Sequence, residues 1–353
     1  MKLWGAGSLE IDLKSNMNSL SKKLSNAILG LAVADAVGVP YEFLPREDIA
    51  RNPATNMTEY GTHHQLKGTW SDDTSMTLAL IDALTKSGEE IDYKLIADNF
   101  VDWMQNAVFT AYNEVFDIGG TCFRAIRRHI ENPDLPAWEC GEKSEHACGN
   151  GGLMRILPLA FRLVCKYGEN FINVPQAREE ICRVTAITHA NACCALANLI
   201  YVTFAGQLIS GQNKKTSWDY AMEKIGSVIA ADPWLKTAKH SFSRLLSDGF
   251  LQTPREELSS SGYVVHTLES AVWCFMNTQD YRSCVLAAVN LGEDTDTTAA
   301  VAGGLAGLYY RDSEKFGIPQ SWVGALAKRE EICRMCEAFE ALFLCALADP
   351  SHF

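Results

Sequence analysis

Apolar residues recur with helical spacing along almost the whole chain of 353 residues. In the first such segment they stand at Leu20, Leu24, Ala27, Ile28 and Leu31, which places them on one face of a helix. The same spacing recurs in 74–88, 92–108, 120–130, 151–166, 177–187, 192–210, 263–277, 280–290, 296–310 and 329–347. We find no series of strands with alternating polar and apolar residues joined by hairpin turns. The sequence therefore predicts an all-α fold.

One helical segment, AAVAGGLAGLYY, contains Gly303, Gly304 and Gly307. Glycine inside a helix costs about 1 kcal/mol relative to alanine, so three glycines in one helix need a compensating contact. A close approach of this helix to the backbone of a neighbouring element would supply that contact. We therefore predict that the segment forms a tightly packed central helix.

Two irregular stretches interrupt the helical pattern without dividing the chain into separate cores. The stretch 132–150 is polar and contains two prolines, and 251–262 is also irregular. Loops as long as the first one are often functional in compact domains. We predict a single compact domain over 19–353. Residues 1–18 would form an N-terminal extension, either disordered or binding a partner, because disorder concentrates at chain termini.

Composition narrows the classes of function. Hydrophobic residues make up 47% of the chain, enough for a large core, and the formal net charge is −12. An acidic chain without a Lys/Arg-rich patch argues against nucleic acid as the main partner. No stretch reads as long and apolar enough to span a membrane, and the N-terminus lacks the apolar core of a secretory signal. We therefore expect a cytoplasmic protein without a membrane partner, whose twelve cysteines are mostly small buried residues.

Acids and hydroxyls cluster at the predicted starts of two helices. In GTWSDDTSMTLAL the cluster is Ser71, Asp72 and Asp73, and in GEDTDTTAA it contains Asp294 and Asp296. Either cluster alone fits a helix N-cap, for which Asp, Ser and Thr are preferred. A cap needs one acceptor oxygen, however, and neighbouring carboxylates repel each other unless a cation offsets their charge. Carboxylates and hydroxyls are the ligands of Mg²⁺ or Mn²⁺, so the two motifs predict a metal site if the fold brings them together.

A further pair of acids lies in GLAVADAVGVPYEF, where Asp35 and Glu42 flank a Gly-Val-Pro turn. Glu42 stands just past the predicted end of the first helix, a position from which a side chain can point into a cleft. A solvated turn residue would occupy the same position. Both interpretations stay open on this segment alone.

Five segments together resemble the ADP-ribosylglycohydrolase family, in the family's order and over about residues 20–350. They are ILGLAVADAVGVPYEF, GTWSDDTSMTLAL, GNGGLMRILPLA, SGYVVHTLESAVWCF and GEDTDTTAAVAGGLAG. The resemblance implies a helical bundle with two Mg²⁺ (or Mn²⁺) ions in a cleft. It also implies hydrolysis of the bond that joins ADP-ribose to a modified group, often an arginine side chain.

The resemblance also assigns roles to single residues. Glu42 is the leading candidate for the acid–base or positioning role, and Asp73 is the second candidate. The implied metal ligands are Ser71, Asp72, Asp73, Asp294, Asp296 and Thr297. Two positions depart from the family pattern. Ser71 replaces a threonine and keeps its hydroxyl, whereas Glu293 replaces a common glycine and adds a carboxylate beside the metals.

The substrate contacts implied by the resemblance lie on several segments. GNGG is a glycine-rich loop before a predicted helix, whose backbone N–H groups would face a diphosphate. His189 would lie near the phosphates, and Tyr263 near the adenine or the bound ribose. The implied residues are Gly119, Gly120, Thr121, Asn150, Gly151, Gly152, His189 and Tyr263. Without the resemblance, a glycine-rich turn or a histidine beside an apolar helix more often has a purely structural role.

Three functions fit these residues. The first is removal of ADP-ribose from modified arginine side chains of proteins, and the resemblance favours it. The second is the same hydrolysis at an O-glycosidic bond, for example on serine or in O-acetyl-ADP-ribose, or on a modified nucleic acid base. The third is an immunity protein that binds a cognate ADP-ribosyltransferase toxin through residues 1–18.

Overall fold

The computed structural model describes residues 6–310 and 313–348, with side chains over 22–310 and 313–342. These residues form fifteen α-helices joined by loops and short 3₁₀ turns, with no β-strand among them. The helices are α1 (Ala6–Gly38), α2 (Arg46–Arg51), α3 (Asp72–Lys86), α4 (Tyr93–Asn106), α5 (Gly120–Glu131), α6 (Leu157–Tyr167), α7 (Pro175–Ala186), α8 (Ala192–Ile209), α9 (Lys214–Ala231), α10 (Pro233–Ala238), α11 (Val264–Asn277), α12 (Tyr281–Val289), α13 (Thr295–Tyr310), α14 (Gln320–Ala325) and α15 (Arg329–Ala348). They share one hydrophobic core, and the predicted all-α class is confirmed.

Helices α1 and α13 lie against each other along much of their length. A Cβ atom on Gly30 would stand 2.5 Å from the backbone oxygen of Gly303, and one on Gly307 would stand 2.3 Å from the backbone oxygen of Asn26. Neither distance leaves room for a side chain, so the two backbones touch. The prediction of a tightly packed central helix is confirmed, and backbone contact is the reason for its glycines.

The end of α1 meets the start of α13. A Cβ atom on Gly38 would stand 2.3 Å from the Cα atom of Asp296. The hydroxyl of Thr295 donates a hydrogen bond to the carbonyl oxygen of Gly38 at 2.8 Å. This junction fixes where α1 stops, and it therefore places the following residues, including Glu42, beside the acids of α13.

Helix α8 is buried along its entire length. By length and mean hydropathy, Ala192–Ile209 and Lys22–Tyr41 are both long and apolar enough to cross a membrane, which differs from our expectation. In the fold, 100% of the first window and 78% of the second are buried inside the protein. A helix that is hydrophobic on all sides also suits the core of a large globular protein.

Two helices and one helix boundary differ from the prediction. Helices α9 and α10 occupy 214–238, where we predicted no helix. Few apolar side chains of α9 are buried, so its periodic pattern is weak: Trp218, Ala221, Ile225 and Ile229. Helix α1 begins at Ala6 rather than near Leu20, so residues 6–18 continue the first helix. The irregular stretches 132–150 and 251–262 are confirmed as loops with short 3₁₀ turns.

Candidate active site

The N-terminus of α3 is capped by a residue of another helix. The fully buried carboxylate of Asp35, on α1, accepts hydrogen bonds from the backbone N–H of Ser71 at 3.0 Å and of Thr74 at 3.1 Å. It also accepts one from the Thr74 hydroxyl at 2.6 Å. The hydroxyl of Ser71 receives the backbone N–H of Asp73 at 3.4 Å. Asp35 and Ser71 therefore cap α3, and the carboxylates of Asp72 and Asp73 are not needed as caps.

The acids at the start of α13 are held by neighbouring donors. The side-chain amide of Asn150 donates to Asp294 Oδ2 at 2.8 Å and to the hydroxyl of Thr267 at 2.9 Å. The backbone N–H of Thr297 donates to Asp296 Oδ1 at 2.9 Å. Asn150 therefore orients a carboxylate instead of offering its amide to a ligand.

The fold brings the two acidic motifs together. The hydroxyl of Thr297 donates to Asp73 Oδ2 at 3.3 Å, a contact between residues 224 positions apart. Two groups of three acids have ligand atoms within 4.8 Å of one another. One group is Asp35, Asp73 and Asp296, and the other is Glu42, Asp294 and Asp296. Asp296 therefore joins two acidic clusters, as a residue between two cation positions would.

The donor set fits divalent cations. Three buried carboxylate oxygens of the two acidic motifs have no hydrogen-bond partner among the described residues: Asp73 Oδ1, Asp294 Oδ1 and Asp296 Oδ2. Burial raises the pKa of Asp72, Asp73, Asp294 and Asp296, and repulsion between the carboxylates raises these values further. A bound cation would supply both the missing partner and the opposite charge.

Glu42 lies on a loop that is tied to the start of α13. The backbone N–H of Phe43 donates to the oxygen of Glu293 at 2.6 Å, and the N–H of Glu293 donates to the oxygen of Leu44 at 2.8 Å. The carboxylate of Glu42 is buried and hydrogen-bonds the Nε2 atom of His63. Burial raises the pKa of Glu42 to about 7, against the opposing effect of the His63 hydrogen bond. Glu42 can therefore gain or lose a proton at neutral pH.

Glu293 stands directly before the acids at the start of α13. Its side chain is exposed, and its backbone has φ 60°, in the left-handed region that favours glycine. This left-handed backbone conformation explains why glycine is common at this position in the family. Glu293 is not a member of the two groups of three acids described above.

A cleft of about 290 Å³ opens beside these acids. Several of the predicted residues line it: Glu42, Asp72, Gly119, Gly120, Thr121, Asn150, Gly151, His189, Asp294 and Thr297. Four other predicted residues do not line it and are buried: Ser71, Asp73, Gly152 and Asp296. Gly152 packs near Thr185 and Asn198. The prediction that GNGG leads directly into a helix is wrong. A 3₁₀ turn spans Asn150–Gly152, and α6 begins only at Leu157.

The two predicted ring-bearing substrate contacts, His189 and Tyr263, line different cavities. His189 is buried in the wall of the cleft, and burial lowers its pKa to about 3, so the imidazole is neutral. Tyr263 instead lines a neighbouring cavity of about 540 Å³, together with Lys143 and Trp234. Its hydroxyl lies 3.6 Å from the sulfur of Cys193. Gly149, which lines the cleft, forms an antiparallel backbone bridge with Tyr263, which lines the second cavity, so the two spaces are neighbours.

Comparison with known proteins agrees with this geometry. A family model described as ADP-ribosylglycohydrolase matches residues 16–348. The chain belongs to the ADP-ribosylglycohydrolase family. A solved structure described as an ADP-ribosylglycohydrolase-related protein complex shares the fold of this ADP-ribosylglycohydrolase with a TM-score of 0.71 and 28% identity. The match covers 92% of this chain and 99% of the other.

Two curated relatives cover most of this ADP-ribosylglycohydrolase. It is 30% identical over 321 residues to the ADP-ribosylarginine hydrolase Tri1 of Pseudomonas putida (strain GB-1), across 89% of this chain and 77% of that protein. It is 29% identical over 344 residues to the ADP-ribosyl-[dinitrogen reductase] glycohydrolase of Rhodospirillum rubrum, across 92% and 97%. The fold and the enzyme class expected from the sequence motifs are therefore confirmed.

Two further residues of the site, Asp117 and His63, belong to none of the sequence motifs. Asp117 lies in the loop between α4 and α5 and lines the cleft. One of its carboxylate oxygens lies within 4.8 Å of ligand atoms of Glu42 and His63. Burial raises the pKa of Asp117. The available signal was an acid two residues before the glycine pair that opens α5, in DIGG. His63 lies in a loop with no motif around it, so nothing in the sequence marked it.

Proposed function

We propose that this protein hydrolyses the N-glycosidic bond between ADP-ribose and arginine side chains of modified proteins, with two Mg²⁺ or Mn²⁺ ions as cofactors. The observation that carries the proposal is the meeting of both acidic helix starts, with unpartnered carboxylate oxygens, beside one cleft that Asp72, Asp294 and Thr297 line. The named activities of the Pseudomonas and Rhodospirillum relatives support the chemistry. The Pseudomonas relative supports the choice of arginine.

The residues that would hold the ions are the six implied by the family motifs: Ser71, Asp72, Asp73, Asp294, Asp296 and Thr297. Asp35 completes one acidic group, but its oxygens already accept hydrogen bonds from the start of α3. We therefore assign Asp35 to capping and the other acids to the metals. Bound ions of this kind orient hydroxyl groups of a substrate and lower the pKa of a bound water.

Glu42 is the residue that would move the proton. The reaction adds water across the bond between the ribose carbon and the arginine nitrogen, so one proton must leave the water and one must reach the leaving guanidine. With a pKa raised to about 7, Glu42 accepts or donates a proton at neutral pH. His63 hydrogen-bonds the Glu42 carboxylate and orients it. Asp117, half-buried beside both, adds negative charge that stabilises an oxocarbenium-like transition state.

The remainder of ADP-ribose needs more space than the acidic cleft provides. The start of α5 offers free backbone N–H groups at Gly120 and Thr121, which suit an anionic diphosphate. Beyond Gly149, the cavity of about 540 Å³ offers the rings of Tyr263 and Trp234 to a stacked base. We propose that the adenosine half lies in this second cavity and the reacting ribose lies over the acids.

The test measures release of free ADP-ribose from two matched peptides, one modified on arginine and one on serine. We expect release from the arginine peptide in Mg²⁺ or Mn²⁺, and none after chelation. Release from the serine peptide alone would overturn the proposed linkage. Full activity on the arginine peptide in chelator would overturn the proposed cofactor.

A further inference from the structure

The ring of His189 has one nitrogen facing the protein and the other facing the cleft. Nδ1 lies 2.8 Å from the hydroxyl oxygen of Thr188. Nε2 lies 3.4 Å from the point where a Cβ atom on Gly149 would stand, and both His189 and Gly149 line the cleft. Which nitrogen carries the proton therefore decides whether the cleft wall offers a donor or an acceptor.

The hydrogen bonds of the Thr188 hydroxyl determine which nitrogen of His189 carries the proton. Arg155 Nη2 donates to the hydroxyl oxygen of Thr188 at 2.6 Å, and a guanidinium can only donate. The Thr188 side chain is fully buried, so its own proton needs a nearby acceptor. Over 22–310 and 313–342, the only other nitrogen or oxygen that hydrogen-bonds this hydroxyl is His189 Nδ1. The sulfur of Cys122 is also close, but a thiol is a weak acceptor.

Arg155 is held too firmly to change its role. It is fully buried, and its Nη1 atom donates to the backbone oxygen of Gly151 at 2.5 Å. The guanidinium lies over the ring of Phe100, 4.6 Å from the ring centre. A donor with this many fixed partners points at the Thr188 oxygen permanently, so the Thr188 proton is directed to His189.

We propose that Arg155 and Thr188 are positioning residues that hold His189 as the tautomer with its proton on Nε2. The cleft wall then presents a neutral N–H donor to an anionic oxygen of the ligand. The opposite tautomer would present a lone pair and repel that oxygen. The inference rests on the proposed function for the identity of the oxygen, which we assign to the diphosphate of ADP-ribose.

The direct test is the ¹⁵N spectrum of the full-length protein with labelled histidine. The chain has eight histidines, so the signals of His189 are identified by their loss in His189→Gln. We expect a ring protonated at Nε2 and unprotonated at Nδ1 at neutral pH. A proton on Nδ1, or on both nitrogens, would overturn the proposal. This result does not depend on activity, so it remains decisive if arginine-linked ADP-ribose proves not to be the substrate.

A second test separates positioning from general support of the fold. Thr188→Val removes the hydroxyl and keeps the shape, and Thr188→Ser keeps the hydroxyl. We expect Thr188→Val to mix the two tautomers and to weaken ADP-ribose binding by about two- to fivefold, because only the molecules with the proton on Nε2 keep the donor. Thr188→Ser should retain the wild-type tautomer and affinity.

The matched background is His189→Gln, whose amide has N–H donors and no tautomers. If Thr188 acts through the proton of His189, Thr188→Val should have no further effect on ADP-ribose affinity in this background. An equal loss of affinity in both backgrounds would show that Thr188 only supports the fold, and it would overturn the proposal.

Discussion

The starts of α3 and α13 look alike in sequence, yet the protein holds their acids in opposite ways. At α3, a carboxylate from another helix takes over the capping, because Asp35 accepts the N–H groups of Ser71 and Thr74. At α13, a donor reaches in from a loop, because the amide of Asn150 holds Asp294 directly. The first arrangement frees acids by satisfying the helix, and the second fixes an acid by bonding to it.

Because of this difference, mutations at the two helix starts should have different effects on stability and activity. The first half depends on the contact between α1 and α3, so a change at Asp35 affects the fold and the site together. The second half depends on one amide in a 3₁₀ turn, so a change at Asn150 affects mainly the orientation of Asp294. Similar motifs therefore predict similar ligands but different costs of mutation.

The largest effect should come from removing the acids of α13. Asp294→Asn together with Asp296→Asn should lower turnover by about a thousandfold or more, because several kcal/mol of transition-state stabilisation by the metals would be lost. The variant should also lose the rise in melting temperature that Mg²⁺ gives. Without cations it should be at least as stable as the wild type, since buried repulsion is relieved. Unchanged turnover would eliminate the binuclear site.

The next effect sharpens the contrast between the two helix starts. Asp35→Ala should lower the free energy of unfolding by about 2–4 kcal/mol, because several buried donors lose their acceptor. Asn150→Ala should cost only about 1 kcal/mol of stability while still reducing turnover. Asp35→Asn, which keeps one acceptor oxygen, serves as the control and should fall between wild type and Asp35→Ala. Denaturant unfolding measures all three, and equal losses for Asp35→Ala and Asn150→Ala would contradict the comparison.

The pH dependence of stability follows from the same acids. The pKa of Asp35 is raised to about 6 and that of Glu42 to about 7, so between about pH 4 and 7 the folded protein binds more protons than the unfolded chain. Stability without cations should therefore fall as pH rises through this window. Divalent cations replace the protons, so the gain in melting temperature from Mg²⁺ should be larger at pH 8 than at pH 5. A gain that does not vary with pH would argue against binding at these carboxylates.

The smallest effect concerns the residue before the acids of α13. Glu293→Gly should stabilise the protein by about 1 kcal/mol, because it removes a side chain from a left-handed backbone conformation. Turnover should stay unchanged, since the Glu293 side chain is exposed. Glu293→Ala is the control that removes the charge and keeps the Cβ atom. An equal gain from both variants would place the benefit in the charge instead of the backbone.

The sequence motifs predicted the acids well because the chemistry requires them side by side. Asp72 with Asp73, and Asp294 with Asp296, each form a recognisable cluster before a helix. Asp117 and His63 stand alone in irregular segments, so only the folded backbone brings them to Glu42. The role of Asp35 was equally hidden, because its hydrogen-bond partners lie 36 and 39 positions away on another helix.

Helices could be predicted from the sequence where the spacing of apolar residues matches the residues that are buried. Helix α8 is buried on every side and α13 is defined by its glycines, and both were predicted within a residue or two. Helix α9 buries a narrow stripe and was missed. The loop GNGG resembles a helix start in sequence, because glycine-rich turns often precede helices, but α6 begins only at Leu157. The Arg155–Gly151 hydrogen bond, which helps to hold the turn, is a tertiary contact that no local pattern reveals.

The backbone contact between α1 and α13 makes the spacing of the active-site acids a property of the main chain. Gly30 lies eight residues before Gly38, about 12 Å along the axis of α1 from the junction with α13. A methyl group at Gly30 would act as a wedge between the two helices and would change the angle at which their ends meet. The distance between Glu42 and Asp296 thus depends on a backbone contact that lies far from both residues. A mutation at this contact can therefore change the activity without replacing any residue of the site.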